Sequence, residues 1–316
     1  MSNQRSYYRP KFLREMQLGL VVYGGVSLAI YTHGVCQEFY HAVRGRGIYK
    51  LVKALTDADL VVDTISGSSA GGINGILLGY AIANSTDRDL VDFSAFARVW
   101  RNSGDLLELL QKPNLFKSQA GSANVNGESF YQRGLLATLI KGIENKLPRS
   151  PQEWCSTTKE LDLAIAGTDY LGKVDRTLDE NTFNLRTKNH RTMFRLKHRQ
   201  GRKEPFNPHF DDPDLPRSPT DTFQALVKLC QITAGTPVIF PLVEVDLQDQ
   251  HNLVDRQLVT WRKLSKYYSP DLPLDRGEKL YFLDGGLIDN TPLTCLMKEA
   301  YYRLPSRGSN RKLFYV

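Results

Sequence analysis

Residues 63–81 read DTISGSSAGGINGILLGYA. An apolar run gives way at Gly67 to six residues with almost no side chain. A second apolar run follows, and no charge occurs between Asp63 and Asp87. A buried strand, a tight turn and a buried helix fit this pattern. Glycine and serine crowd such a turn for one of two reasons. Either the backbone passes very close to something, or one serine is held out for chemistry.

The segments before it set the same alternation. QLGLVVY (17–23) reads as a short buried strand closed by Gly24-Gly25. From Ser27 the apolar positions Leu28, Tyr31, Val35, Phe39 and Ala42 recur at helical spacing, with Ser27 as the expected N-cap and Gly45 and Gly47 as the stop. A second helix fits 48–56, and LVVDTI (60–65) is a second strand. Strand, helix, strand, helix in the first 85 residues predicts an α/β fold, a parallel sheet with helices packed on it.

Beyond it, 93–111 and 127–142 read as helices and LDLAIAGTD (161–169) as a buried strand. TFNLR (182–186) and MFRLK (193–197) alternate by two and predict a hairpin around KNHR. Residues 204–220 hold five of the fifteen prolines and read as an irregular loop. A helix over 221–232 and a strand LYFLD (280–284) complete the pattern, with no internal repeat. KLFYV at 312–316 reads as an apolar strand with no exit, the expected mark of a chain cut from a longer one.

Composition narrows the partners. At 41% hydrophobic and 24% charged residues the chain is globular in type. A net charge of +7 favours anionic partners. Cys36, Cys155, Cys230 and Cys295 form no C-x-x-C pair, so they read as buried reduced thiols of a cytoplasmic protein rather than zinc ligands. Arg5, Arg9, Lys11 and Arg14 precede the apolar run Leu18 to Tyr31 as in a leader peptide. Two glycines break that run and no small-x-small site follows, so the strand reading is preferred. Thr64 to Thr86 is too rich in Gly, Ser and Asn for a membrane span.

Gly67-Ser68-Ser69-Ala70-Gly71 fits G-x-S-x-G directly after a predicted strand and before a predicted helix. Ser69 is therefore the candidate nucleophile; the competing reading is a glycine-rich phosphate turn with a structural serine. No histidine follows the late acidic candidates in the order an α/β hydrolase uses. His33 reads as structural, His190 and His198 as solvated on the charged hairpin, and His251 as a turn residue. The other candidate base is Asp284, which ends an apolar strand before Gly285-Gly286 and is expected on the same carboxyl edge as Ser69. An ordinary Asp-Gly turn is the alternative. Gly24, Gly25 and Val26, between the first strand and helix, can offer backbone N–H groups to an oxyanion.

Three elements in this order resemble the patatin-like phospholipases: YGGVSLAIYTHGV, the G-S-S-A-G elbow, and D-G-G with Asn290-Thr291-Pro292 after it. AIAGTD (164–169) and ITAGTPVIFP (232–241) are similar to further segments of that family. The turn GGVSLA lacks the family's usual basic residue and looks like the bacterial patatin-related subgroup.

The resemblance implies a three-layer α/β/α sandwich with a mostly parallel sheet, residues 1–15 as an arm and 16–316 as the catalytic domain, which the apolar end KLFYV marks as cut short at its C-terminus. It implies a phospholipase A-type lipid acyl hydrolase. In it Ser69 is nucleophile, Asp284 general base, and Gly24, Gly25 and Val26 the oxyanion donors, with Gly67, Gly71, Gly285 and Gly286 shaping the turns. It needs no cofactor and no metal.

The implied partner is a phospholipid bilayer surface, met peripherally at the inner face of the membrane. Residues 186–203, with eight Lys or Arg and no acid, are a candidate headgroup-binding face or simply a solvated one. A small-nucleotide activator is a weaker reading, and nucleic acid weaker still because no nucleic-acid motif accompanies the charge. The alternatives to a phospholipase are a silent lipid- or nucleotide-binding module on this fold and an esterase for small soluble esters.

Overall fold

The computed structural model of the 316-residue chain describes residues 12–85, 158–178, 184–200, 219–237, 242–246, 252–263, 279–302 and 309–316, together with 93, 94, 96, 97 and 100. The expected helix 127–142, most of 93–111 and of the loop 204–220, together with Cys155 and His251, lie outside the described residues.

The first 85 residues follow their pattern. Strand β1 (Arg14–Val22) leads through a 3-10 turn (Val26–Leu28) into α1 (Ala29–Arg44), then α2 (Ile48–Thr56), β2 (Ala58–Gly67) and α3 (Ser69–Asn84). Ser27 is not the N-cap of α1. The 3-10 turn takes up that residue and Leu28 stands at the cap, with no side-chain bond. Gly45 closes α1 in the left-handed conformation at φ 61°, donating its N–H to the Ala42 carbonyl. There follow β3 (Glu160–Leu178), β4 (Asn184–Arg199), α4 (Pro219–Thr233), β5 (Val243–Asp246), α5 (Leu253–Lys263), β6 (Lys279–Asp284), α6 (Gly286–Asp289), α7 (Leu293–Tyr302) and β7 (Ser309–Tyr315).

The expected hairpin within 182–197 is not formed. Residues 184–199 are one continuous strand, paired antiparallel with β3 from Glu160↔Arg199 outward. The turn expected at KNHR is instead a bulge in the partner, between Thr168 and Lys173 of β3. His198 is consequently buried, not solvated. Burial pushes its imidazole down to about 4, and its Nε2 lies 3.1 Å from the Thr158 carbonyl.

The seven described strands run β5-β6-β3-β2-β1-β7, with β4 also on β3. Five of the seven point the same way; β4 and β6 oppose them. One face carries Leu18, Leu20 and Val22 of β1 and Leu161, Leu163 and Ile165 of β3. They pack into one cluster with α1, α3, α4 and α5 that includes Tyr40, Leu77, Leu229 and Trp261. On the other face Ala164 and Ala166 meet Met193 and Cys295, the last from α7. Helix, sheet and helix make the expected three layers. α3 is buried from Ser69 to Ala83, which explains its apolar character all round.

A bulge in β2 keeps this arrangement in register. Leu18 pairs with Val62 but Gly19 with Thr64, so Asp63 is the extra residue. It resets the alternation, and both Val62 and Ile65 face the same apolar cluster. Asp63, 1% exposed, takes Arg311 Nη2 at 2.5 Å, and that arginine also donates to Gln17 Oε1 at 2.8 Å. β7 is thereby clamped beside β1, reinforced by main-chain bonds from Tyr23 to Val316 and from Val316 to Val21. Arg311→Met, which strips the cation from this buried carboxylate, is expected to cost about 3 kcal/mol. The exposed neighbour Lys312→Ala should change stability by under about 0.5 kcal/mol, and urea midpoints at pH 7 compare the two.

Candidate active site

Ser69 begins α3 with φ 54°, the left-handed region where a non-glycine residue is strained. That strain is the signature of a strand-to-helix elbow that presents its hydroxyl. The small neighbours prove to be obligatory. A Cβ on Gly71 would stand 2.3 Å from the carbonyl oxygens of both Val22 and Tyr23, so only glycine lets α3 start against the end of β1. A Cβ on Gly24 would stand 2.5 Å from Ser69 Cβ, so the first turn closes directly on Ser69.

Ser69 Oγ donates to Asp284 Oδ2 at 2.9 Å, and the two residues are 8% and 6% exposed. The strand ends that bring them together do not lie side by side on one carboxyl edge, as the sequence suggested. β4 occupies one edge of β3 from Glu160 to Thr168. Both β2 and β6 therefore use the other. β2 is parallel and reaches Gly67↔Ile165, while β6 is antiparallel and reaches Asp284↔Gly167. The two strands run toward each other and stop two β3 residues apart. Ser69 and Asp284 meet across that gap.

The second carboxylate oxygen, Oδ1, accepts the Gly286 N–H at 2.7 Å, and Thr236 Oγ1 donates to Oδ2 at 2.9 Å. Burial holds the Asp284 carboxyl above the ordinary aspartate value, against the lowering effect of the bonds from Gly286, Ser69 and Thr236. A carboxylate so placed is a stronger base than one in water. None of the described histidines takes that role. His33 stacks flat on Phe93 with centroids 4.9 Å apart, His190 Nδ1 is 2.8 Å from the Asp169 carbonyl, and His198 is buried on β4.

Several supporting residues were not singled out as site residues in the sequence. Thr233 Oγ1 accepts the Ser69 N–H at 3.1 Å, and Thr168 Oγ1 donates to the Asp284 carbonyl at 2.8 Å. Asn290 Oδ1 accepts the Gly24 N–H at 3.1 Å. Of the three expected oxyanion donors Gly24 is therefore engaged, which leaves Gly25 and Val26. Asp169 accepts the N–H groups of Leu171 and Gly172, both at 3.1 Å, and Arg262 Nη2 at 2.8 Å. It fixes the β3 bulge opposite Phe282, two residues from Asp284.

Three arginines of the basic stretch are likewise part of the frame. Arg191 pairs with Asp289, Arg195 with Glu299, and Arg199 with Asp162 through both oxygens. Among the described residues no group of three or more His, Cys, Asp or Glu could hold a metal ion, and no helix is long and apolar enough to cross a membrane. Cys36, Cys230 and Cys295 are free and buried.

A family model described as patatin-like phospholipase matches residues 20–297. An uncharacterized membrane protein of Mycobacterium tuberculosis is 24% identical over 96% of this chain, and the match spans 27% of that protein's length.

The raised pKa of Asp284 gives a signed prediction. A folded-state pKa above the unfolded one stabilises the fold at low pH, and that stability is lost as pH rises through the folded value. Asp284→Asn removes the buried charge, so at pH 7 its urea midpoint should equal or exceed the parent's. At pH 3 the advantage should disappear.

Proposed function

We propose, from the premise that this chain belongs to the patatin-like phospholipase family, that it is a lipid acyl hydrolase working through Ser69 and Asp284. The observation that carries this reading is the 2.9 Å bond from a strained elbow serine to a buried carboxylate of raised pKa. Asp284 Oδ2 takes the Ser69 proton as Oγ attacks the carbonyl carbon of a carboxylic ester. The tetrahedral oxyanion is met by the N–H groups of Gly25 and Val26 and by the N-terminal end of α3. Collapse expels the alcohol, which carries the proton away from Asp284. Water, deprotonated in turn by Asp284, then attacks the acyl carbon, and the fatty acid is released as Ser69 Oγ leaves and takes the proton back from Asp284. Phospholipids are the proposed substrates, with the bilayer surface as the place where they are met.

A silent binding module on the same fold has no use for a serine held at φ 54° against a buried carboxylate, since strain persists where function requires it. An esterase of small soluble esters would share the dyad and differ in preferring monomeric substrate to vesicles.

Fatty-acid release from mixed phospholipid vesicles tests the reading. Ser69→Ala and Asp284→Asn should each lower the rate at least about a thousandfold. Release that survives Ser69→Ala would remove the nucleophile assignment. Activity requires Asp284 ionised, so the rate should fall as pH drops through a value above that of an ordinary aspartate. Thr236→Val deletes a hydrogen bond to the ionised form and should move this acid limb to higher pH, read from kcat/KM between pH 4 and 8.

A further inference from the structure

Two of the turns that close on Ser69 continue at once into exposed apolar residues. After Gly24-Gly25 come Leu28, Ile30 and Tyr31, the latter two 57% and 65% exposed. After Asp284-Gly285-Gly286 come Leu287 and Ile288, 50% and 54% exposed. The turns from which the two groups spring sit close to Ser69. A Cβ on Gly24 or on Gly286 would lie 2.5 or 3.6 Å from Ser69 Cβ, and Asn290 ties Gly24 to the segment just past α6. These large apolar side chains contribute nothing to the core described above, and solvent exposure costs each of them burial free energy.

Charge selects the occupant. No charged residue lies between Leu18 and Gln37, so the segment that carries Leu28, Ile30 and Tyr31 holds no carboxylate to repel an anionic surface. The acid on α6, Asp289, is neutralised by Arg191 at 2.5 Å. The chain as a whole carries +7. A protein docked on this rim would cover the dyad, whereas a lipid surface docked on it delivers ester to the dyad.

We propose that Leu28, Ile30, Tyr31, Leu287 and Ile288 form the face that inserts into the headgroup–acyl boundary of a bilayer and seats the active site on it. The proposal rests on the lipid acyl hydrolase reading and names how that site meets its substrate. Insertion is shallow, by side chains from a helix start and a short turn, and it draws on buried apolar area together with attraction to anionic lipid.

A second exposed apolar face provides the internal competitor. α2 turns Ile48, Leu51, Val52 and Leu55 to solvent and buries Lys53, which donates to Asp59 and to the Val43 carbonyl. It precedes β2, at the end of that strand away from Ser69.

The test uses the full chain carrying Ser69→Ala, so that binding is read without turnover. Partitioning onto vesicles of phosphatidylcholine with one-fifth phosphatidylglycerol is measured by sedimentation, with circular dichroism confirming that each variant folds. Ile30→Asp and Ile288→Asp should each require at least about tenfold more lipid for half-binding, and Leu55→Asp should bind as the parent does. The proposal is overturned if the rim variants partition like the parent, if the loss follows Leu55→Asp instead, or if the parent does not partition at all. The hydrolase reading fails separately: wild-type chain that partitions but releases no fatty acid would leave the docking face standing and remove the activity.

Discussion

One edge of β3 is shared by two strands that approach it from opposite ends, and the site exists because of that sharing. β2 delivers Ser69 from one direction and β6 delivers Asp284 from the other. Everything near the dyad serves to keep the two ends from drifting. Asp169 and Arg262 lock the β3 bulge beside β6, and the Arg262 guanidinium also lies over the Phe282 ring at 5.7 Å. Thr168 holds the Asp284 carbonyl, Thr233 the Ser69 amide, and the Gly235 carbonyl accepts the Asp284 N–H. With β4 filling the other edge of β3, the strand cannot slip without breaking pairings on both sides.

Within that frame the proposed chemistry turns on a conflict over one carboxylate. Burial disfavours its charge, while a backbone amide and two hydroxyls favour it. Were all three donors stronger, Asp284 would be a comfortable anion and a poor base. With none of them it would hold its proton and accept nothing from Ser69. The balance leaves a nearly buried carboxylate with its pKa raised, in hydrogen-bond contact with Ser69, and on the proposed reading this is how the serine is activated without histidine. Burying this charge works against fold stability, and the proposed chemistry is what that cost would serve.

Much of this was legible in the sequence because it is written in local patterns. The elbow glycines, the apolar strand runs and the aspartate before two glycines each report on their own few residues, and the first four elements follow them closely. What was missed depends on distant pairing. The basic stretch alternates like a hairpin, yet its partner is β3, far longer than its apolar segment, since the apolar alternation stops at Asp169 and the strand continues to Leu178. Its arginines look solvated until Asp289, Glu299 and Asp162 arrive from other elements. The direction of β6 has no local signature at all, so the head-to-head meeting could not be read. Thr233 and Thr236 look like ordinary helix-end and turn residues until Ser69 and Asp284 are placed beside them.

The strand that completes the sheet has a consequence of its own. Among the described strands β7 pairs only with β1, so one row of its amides and carbonyls has no partner strand among them. Leu313, Phe314 and Tyr315 are exposed along it. An open, apolar strand margin is a template on which another chain can add by main-chain pairing. Arg311 is committed to Asp63, which leaves Lys312 as the gatekeeping charge in that stretch. Self-association of this protein by strand addition would therefore start at the rim of its sheet, far along the chain from Ser69, where Lys312 is the charge among the described residues of that strand left to oppose it.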